Sequence, residues 1–367
     1  MDDIGYLARE RLDALIDALR AEGYRCIGPQ VRDGTVQYGD LQSAGQLPAG
    51  WHDVQAPGSY RLNQSDSPRQ FAWANGPQAL RPLLFAPREP LWRAQRSSSS
   101  ELSFTALAPP DERLAVIGVR ACDLAALALQ DAHFLRGAHP DAAYTTRRAH
   151  LFLVAVNCTH PAATCFCAST GDGPQASGGC DLILDELDTG FVVRSASERG
   201  AELLAQLELR SVSPEHQSAI EDQHMQASAA QTRALPSHDL RTLLDTRLDH
   251  PRWADVAARC LSCGNCTLVC PTCFCHSEQD QPDLDGGGST HYREWDSCFT
   301  QGHSYIHGIT IRADTRLRYR QWLTHKLGTW HDQYGRSGCV GCGRCIAWCP
   351  VGIDITEEVA ALAASAP

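Results

Sequence analysis

The sequence predicts an α+β chain, and three observations carry that expectation. Continuous apolar runs at Leu114 to Val119 and His150 to Val156 read as strands covered on both faces, as in a small mixed sheet. From about Gly200 the pattern turns helical and polar. Two stretches, Cys260 to Cys270 and Cys339 to Cys349, each spell CxxCxxCxxxC followed by proline, the bacterial ferredoxin spacing that wraps a polypeptide around a [4Fe-4S] cluster. Together they give an N-terminal mixed α/β domain over 1–240, followed by an α-helical ferredoxin-like domain over 241–367 with two [4Fe-4S] clusters.

The elements follow in order. Ile4, Leu7, Leu12, Leu15, Ile16 and Leu19 stand at helical spacing up to Gly23, which predicts one amphipathic helix closed by a glycine cap. Cys26 to Val31 and Thr35 to Tyr38 flank Asp33-Gly34, a two-residue hairpin turn. Leu41 to Leu91 is rich in Pro, Gly and Gln without a clean period and reads as irregular chain with short strands. The strand Leu114 to Val119 runs into a helix from Asp123 to about Phe134. Asp181 to Leu184 and Phe191 to Ser195 add strands, joined through the turn at Asp188 to Gly190. Leu235-Pro236 and His250-Pro251 break the helical pattern and place the domain boundary near 240. Between the cysteine runs lie 68 residues, 271 to 338, in which Cys298 to Ile311 and Arg316 to Trp330 read as helices after a loop at Asp285 to Gly288. An insertion of that size and character favours an α-helical ferredoxin over the small β-hairpin type.

The first run supplies Cys260, Cys263, Cys266 and Cys270, and the second Cys339, Cys342, Cys345 and Cys349. Gly264, Gly341 and Gly343 let the backbone bend so that sulfurs converge and amide N–H groups face the cluster. In two-cluster ferredoxins the fourth cysteine of each run binds the other cluster. Cys260, Cys263 and Cys266 are therefore expected to pair with Cys349, and Cys339, Cys342 and Cys345 with Cys270. Zinc ordinarily takes two CxxC knuckles a dozen or more residues apart, which neither run resembles. Disulfides fit poorly, because 17 cysteines is an odd number and 367 residues bury enough apolar surface to need no staples.

Reduced cysteines imply a reducing compartment. Asp2, Asp3, Arg9 and Glu10 interrupt any export signal, and no stretch approaches a membrane span, so the expected location is the cytoplasm. The formal charge of -11, from 32 basic and 43 acidic residues, argues against a nucleic-acid partner. Protein partners are the better expectation.

Nine cysteines lie outside the runs. Cys122 sits at the turn out of one expected strand, and Cys158, Cys165 and Cys167 follow another in NCTHPAATCFC. Loops leaving the ends of such strands gather at one sheet edge, where α/β proteins place ligands. The four admit two readings: a third [4Fe-4S] cluster, with Cys180 the best substitute for any one of them, or buried thiols acting as small hydrophobes. Cys273, Cys275 and Cys298 admit two readings, reactive thiols next to a cluster or, the blander one, thiols simply buried beside it, and Cys26 reads as core. His303 and His307 stand at i, i+4, but Ser304 occupies the place where HExxH needs glutamate, which excludes a zinc protease. Gly171-x-Gly173 is followed by Pro174 and lacks the strand-turn-helix context of a dinucleotide site. Arg312, Arg316, Arg318, Arg320 and Lys326 read as a solvated basic helix face, the alternative being positive charge near a cluster that favours its reduced form or steers an acidic partner. No acid/base pair or nucleophile stands out, so no catalytic residue is assigned.

The combination VRACDLAALALQDAHF, NCTHPAATCFC with GDGP, CLSCGNCTLVCPTCFC, WDSCF and CVGCGRCIAWCPVGIDI resembles the beta subunit of cytoplasmic sulfhydrogenases, the NAD(P)-linked NiFe hydrogenases. It is also similar to the related A subunit of anaerobic sulfite reductase. Ala121 stands where the pattern has proline. The resemblance covers most of the chain from about residue 55 and implies a non-catalytic electron-transfer subunit with two [4Fe-4S] clusters on the eight cysteines of the runs. Its partners would be a flavin subunit that handles NAD(P)H and the large and small NiFe hydrogenase subunits. Two alternatives stand beside it: feeding a sirohaem partner in sulfite reduction and, from another class, a cluster-based redox sensor.

Overall fold

The computed structural model describes residues 4–97, 101–237 and 239–364. The opening segment splits in two. Strand β1 (Ile4–Ala8) precedes the helix Leu12–Ala21, where a single helix was expected. Tyr6 and Ala8 face one apolar cluster while Leu7 faces another, so the alternation of a strand overrides the helical spacing once a partner strand is available. The hairpin β2 (Arg25–Arg32) and β3 (Thr35–Asp40) forms as expected, with Asp33 and Gly34 both at positive φ. A second hairpin follows, β4 (Trp51–Ala56) and β5 (Ser59–Gln64), and then β6 (Arg88–Arg96) and β7 (Leu102–Ala106).

Strand β8 (Leu114–Val119) leads into the helix Ala121–Leu135, and β9 (Leu151–Val156) into the loop carrying Cys158. With β10 (Leu182–Leu187) and β11 (Gly190–Ser195) these make a seven-stranded sheet in the order β1-β11-β10-β9-β8-β2-β3. Pairs β2·β8, β8·β9 and β9·β10 are parallel. Alternate residues of β8 and β9 enter different cores: Ala115, Ile117, Phe152 and Val154 on one face, Val116, Leu151 and Leu153 on the other. Burial on both faces is why these strands read as unbroken apolar runs. Because β8 and β9 are parallel, their C-terminal ends lie at one edge, and Arg120 fastens that edge by donating to the carbonyls of Phe71 (2.7 Å), Trp73 (2.6 Å) and Val156 (3.3 Å).

The segment between the cysteine runs departs further from expectation. It begins with β12 (His276–Pro282) and β13 (Gly288–Trp295), polar strands with no sequence signature. They join β6 and β7 in a sheet of order β12-β13-β6-β7, so strands from both sides of residue 240 share one sheet. Cys298 to Ile311 is not helical. It forms a 3-10 turn at Gln301–Ser304 and a short hairpin, β14 (Tyr305–Ile306) and β15 (Ile309–Thr310). His307 and Gly308, the two residues at its tip, both have positive φ, the requirement of a tight hairpin turn. His303 and His307 therefore share no helix face.

The expected helix from Arg316 is present as Thr315–Thr324, continuing through a π turn at His325–Thr329 into Trp330–Tyr334. It packs with the helices Leu240–Asp245, Arg252–Arg259 and Ile355–Ala364 around Leu244, Trp253, Trp322, Leu323 and Val359, and Phe166 from the N-terminal half enters the same core. Among the described residues no helix is long and apolar enough to cross a membrane.

Candidate iron-sulfur site

Each cysteine run begins in extended chain and ends in one helical turn, Asn265–Leu268 in the first and Arg344–Ala347 in the second. Gly264 and Gly343 cap those turns at φ +73°, a conformation that only glycine adopts without cost. Around the first run, burial pushes the Cys266 thiol up, with further push from Cys298, Cys260, Cys349 and Cys263. An apolar cavity here is lined by Cys260, Cys263, Cys266, Cys345 and Cys349 together with Phe299, Tyr319, Trp322, Ile353 and Ile355. Cys270 faces elsewhere. Its neighbours include Cys273 and Lys326, and it acts in turn on Cys339, Cys342 and Cys345. The thiols thus gather with the fourth cysteine of each run beside the other run.

The third gathering lies at the sheet edge. Burial raises Cys122, with added push from Asp123, Cys167 and Cys342, and it raises Cys165, with Cys167 and Cys158 adding to it. Cys122, Cys158, Cys165 and Cys167 therefore share one locality. Cys180 does not join them; it is buried in the core among Leu151, Leu153 and Ile183. Cys26 is core as well, its thiol turned toward the Ile16 carbonyl.

The thiols of the first gathering fit an iron-sulfur cubane. Among the described residues no three His, Cys, Asp or Glu side chains meet as one metal ion requires. The thiols of the first gathering instead ring a space, as the ligands of a cubane do and those of a single zinc ion do not. Burial disfavours the thiolate, so cluster binding here must expel protons. Cys270 moves the other way, held well below the ordinary thiol value by a hydrogen bond with Cys273 and by the Lys326 charge.

Several residues that the sequence left unassigned serve these thiols. Lys326, expected on a solvated face, is 5 % exposed. Its Nζ lies 3.4 Å from Cys270 Sγ and donates to Thr272 Oγ1 at 2.8 Å. Asn75 Nδ2 donates to Cys122 Sγ (3.3 Å) and to the Cys342 carbonyl (3.4 Å), so one amide spans the N-terminal thiols and the second run. Arg344 holds that amide through its Oδ1 at 3.0 Å and pairs with Asp123 at 2.6 and 3.0 Å, all of them buried. Arg81, also buried, donates to the carbonyls of Thr267, Leu268, Cys270 and Cys273 and so pins the end of the first run. A lone Asn, Lys or Arg far from a motif carries no sequence mark of such a task.

The backbones interlock too. Phe166 N–H donates to the Gly341 carbonyl at 2.8 Å, and a Cβ on Gly341 would stand 2.5 Å from the Cys167 nitrogen. The family described as the 4Fe-4S dicluster domain matches residues 259–353. Sulfhydrogenase 2 subunit beta of Pyrococcus furiosus is 31% identical over 279 residues, which are 74% of this chain and 80% of that protein. No solved structure matches. The identity and its extent establish that the chain belongs to the sulfhydrogenase beta-subunit family, with an iron-sulfur, electron-transfer character.

Proposed function

We propose that this chain is the electron relay of a multi-subunit, NAD(P)-linked NiFe hydrogenase, working between a flavin subunit and the hydrogenase subunits in the cytoplasm. Three [4Fe-4S] clusters would be held by Cys122, Cys158, Cys165 and Cys167; by Cys339, Cys342, Cys345 and Cys270; and by Cys260, Cys263, Cys266 and Cys349. Each supplies a one-electron couple and, with four thiolates, leaves no position open for substrate. The functional division falls near residue 240, with one thiol set before it and two after.

The observation that carries this reading is the bridge at Asn75, which touches both Cys122 and the Cys342 carbonyl. Cys345 in turn lines the cavity of the first-run thiols. The three sets thus form a line, and the first-run set ends it with Cys263 exposed. Leu261 and Leu268, also exposed, flank that outlet and offer apolar surface to a partner subunit.

The test is reconstitution of the complex with and without this chain. Without it, the flavin subunit should still oxidise NAD(P)H with an artificial acceptor, and the NiFe subunits should still evolve hydrogen from a reduced dye. NAD(P)H-linked hydrogen turnover should vanish. Retention of the coupled reaction in its absence would refute the proposal.

A further inference from the structure

Two side-chain amides aim N–H groups at sulfurs of the sheet-edge set. Asn75 reaches Cys122 at 3.3 Å, and Gln231, just beyond the helix Pro214–Ala229, reaches Cys167 at 3.5 Å. Which end of the Gln231 amide serves the sulfur follows from its other partner. Oε1 accepts the Ala168 N–H at 3.0 Å. A thiol can also donate to that oxygen at 3.5 Å, but a thiolate only accepts, and for it the amide offers Nε2, likewise at 3.5 Å. The residues after Gln231 hold the amide in place. Arg233 donates through Nε to Asp354 Oδ2 at 2.6 Å and through Nη1 to the Ala163 carbonyl, and the Leu235 N–H donates to Ser169 Oγ at 3.3 Å. Gln231, Arg233 and Leu235 are partly buried while Thr232 and Ala234 are exposed, the alternation of an extended strap. The strap crosses the loop that carries Cys165 and Cys167, and its anchor Asp354 lies buried at the start of the helix Ile355–Ala364.

We propose that Gln231 is a positioning residue of the sheet-edge site: it donates through Nε2 to the Cys167 thiolate and, through that sulfur, raises the reduction potential of the cluster held there. The proposal rests on the reading of Cys122, Cys158, Cys165 and Cys167 as cluster ligands. Two features of the site fit that reading. A neutral thiol is a weak acceptor and a thiolate a strong one, so amides aimed at two of the four sulfurs suit ligands that have lost their protons. Gly173 keeps one flank of the same sulfur open, since a Cβ there would stand 2.8 Å from Cys167 Sγ and 3.4 Å from the Ala121 Cβ. Reduction adds negative charge that spreads onto the ligating sulfurs, and hydrogen bonds to those sulfurs are one of the levers that set a cluster's potential. An N–H donor stabilises the more negative form more strongly, so its removal makes the cluster harder to reduce.

The experiment is a potentiometric titration of anaerobically purified holoprotein, read by electron paramagnetic resonance with iron measured in parallel. The sheet-edge cluster is identified as the signal that Cys165→Ser removes. Gln231→Met keeps the length of the side chain and loses the donor, whereas Gln231→Glu keeps an acceptor for the Ala168 N–H and sets negative charge beside the sulfur. Both should shift that one midpoint downward, Gln231→Glu further, with the other midpoints unmoved and iron still at about twelve per chain. If Gln231→Met sheds the sheet-edge iron, Gln231→Glu, with the bond to Ala168 retained, decides the direction. An unshifted midpoint in a variant with full iron, an upward shift, or a shift confined to another cluster would overturn the role of Gln231 alone. About eight irons in the unaltered protein, with no signal lost in Cys165→Ser, would instead remove the sheet-edge cluster and this proposal with it.

Discussion

The ammonium of Lys326 lies 3.4 Å from the sulfur of Cys270, in the π turn of a helix that also buries Arg318, expected on a solvated face. A buried cation beside Cys270, a ligand of the second-run cluster in our proposal, favours the state with one more electron. At about 7 Å and an effective dielectric near 20, one charge is worth roughly 2 kcal/mol, on the order of 100 mV for a single electron. Lys326→Met should therefore lower one cluster potential by about that much, read by potentiometric titration with electron paramagnetic resonance, while iron content stays constant. An unchanged set of potentials would show that the lysine only fills space.

Arg344 and Asp123 are each almost wholly buried and paired, and Asn75 completes the network. Removing one partner strands a charge in the interior, a loss of about 3–5 kcal/mol. Asp123→Ala should lower the denaturant midpoint accordingly and loosen the amide that spans Cys122 and Cys342. A stability loss under about 1 kcal/mol would mean that the arginine finds other acceptors.

Gly341 sits at φ +63°, with the Cys167 backbone where a side chain would have to go. Gly341→Ala should push the second run away from the N-terminal thiols. The expected result is loss of iron from both localities on purification, since the clash is with backbone that cannot rotate aside. An alanine variant with full iron would mean that the two segments need no such close approach.

How far the sequence went follows from where the information sits. The ferredoxin runs are local in sequence, so their eight cysteines could be named from spacing. The parallel strands β8 and β9 announced themselves as apolar runs, and that topology was enough to bring Cys122 toward Cys158. Other features depend on distant partners. The Ile4–Ala8 strand exists because β11 is there to pair with it, and the polar strands β12 and β13 are held by pairing, β12 at the edge and β13 between it and β6. Lys326 looked like surface because helical periodicity does not register a π turn, which shifts the facing of the residues after it. The His303–Asp296 pair joins residues that only the turn after Cys298 brings together.

His303 gives the protein a defined pH response. Its value is raised from 6.5 to about 9 by the Cys275 hydrogen bond and by Asp296. A group whose folded value lies above its unfolded one adds stability that is full below the unfolded value and lost as pH rises through the folded one. The stability difference between the unaltered protein and His303→Gln should thus be largest below about pH 6.5 and shrink as pH approaches 9. A difference that grows with pH would reverse the assigned direction.

The central claim is that the sheet edge holds a third cluster joined to the ferredoxin pair, and counting iron tests it most directly. Anaerobically isolated protein should contain about twelve iron and twelve acid-labile sulfide per chain, and Cys165→Ser should lose about four of each together with one spectroscopic component, leaving the C-terminal pair intact. About eight iron in the unaltered protein, with no change on replacing Cys165, would contradict the account.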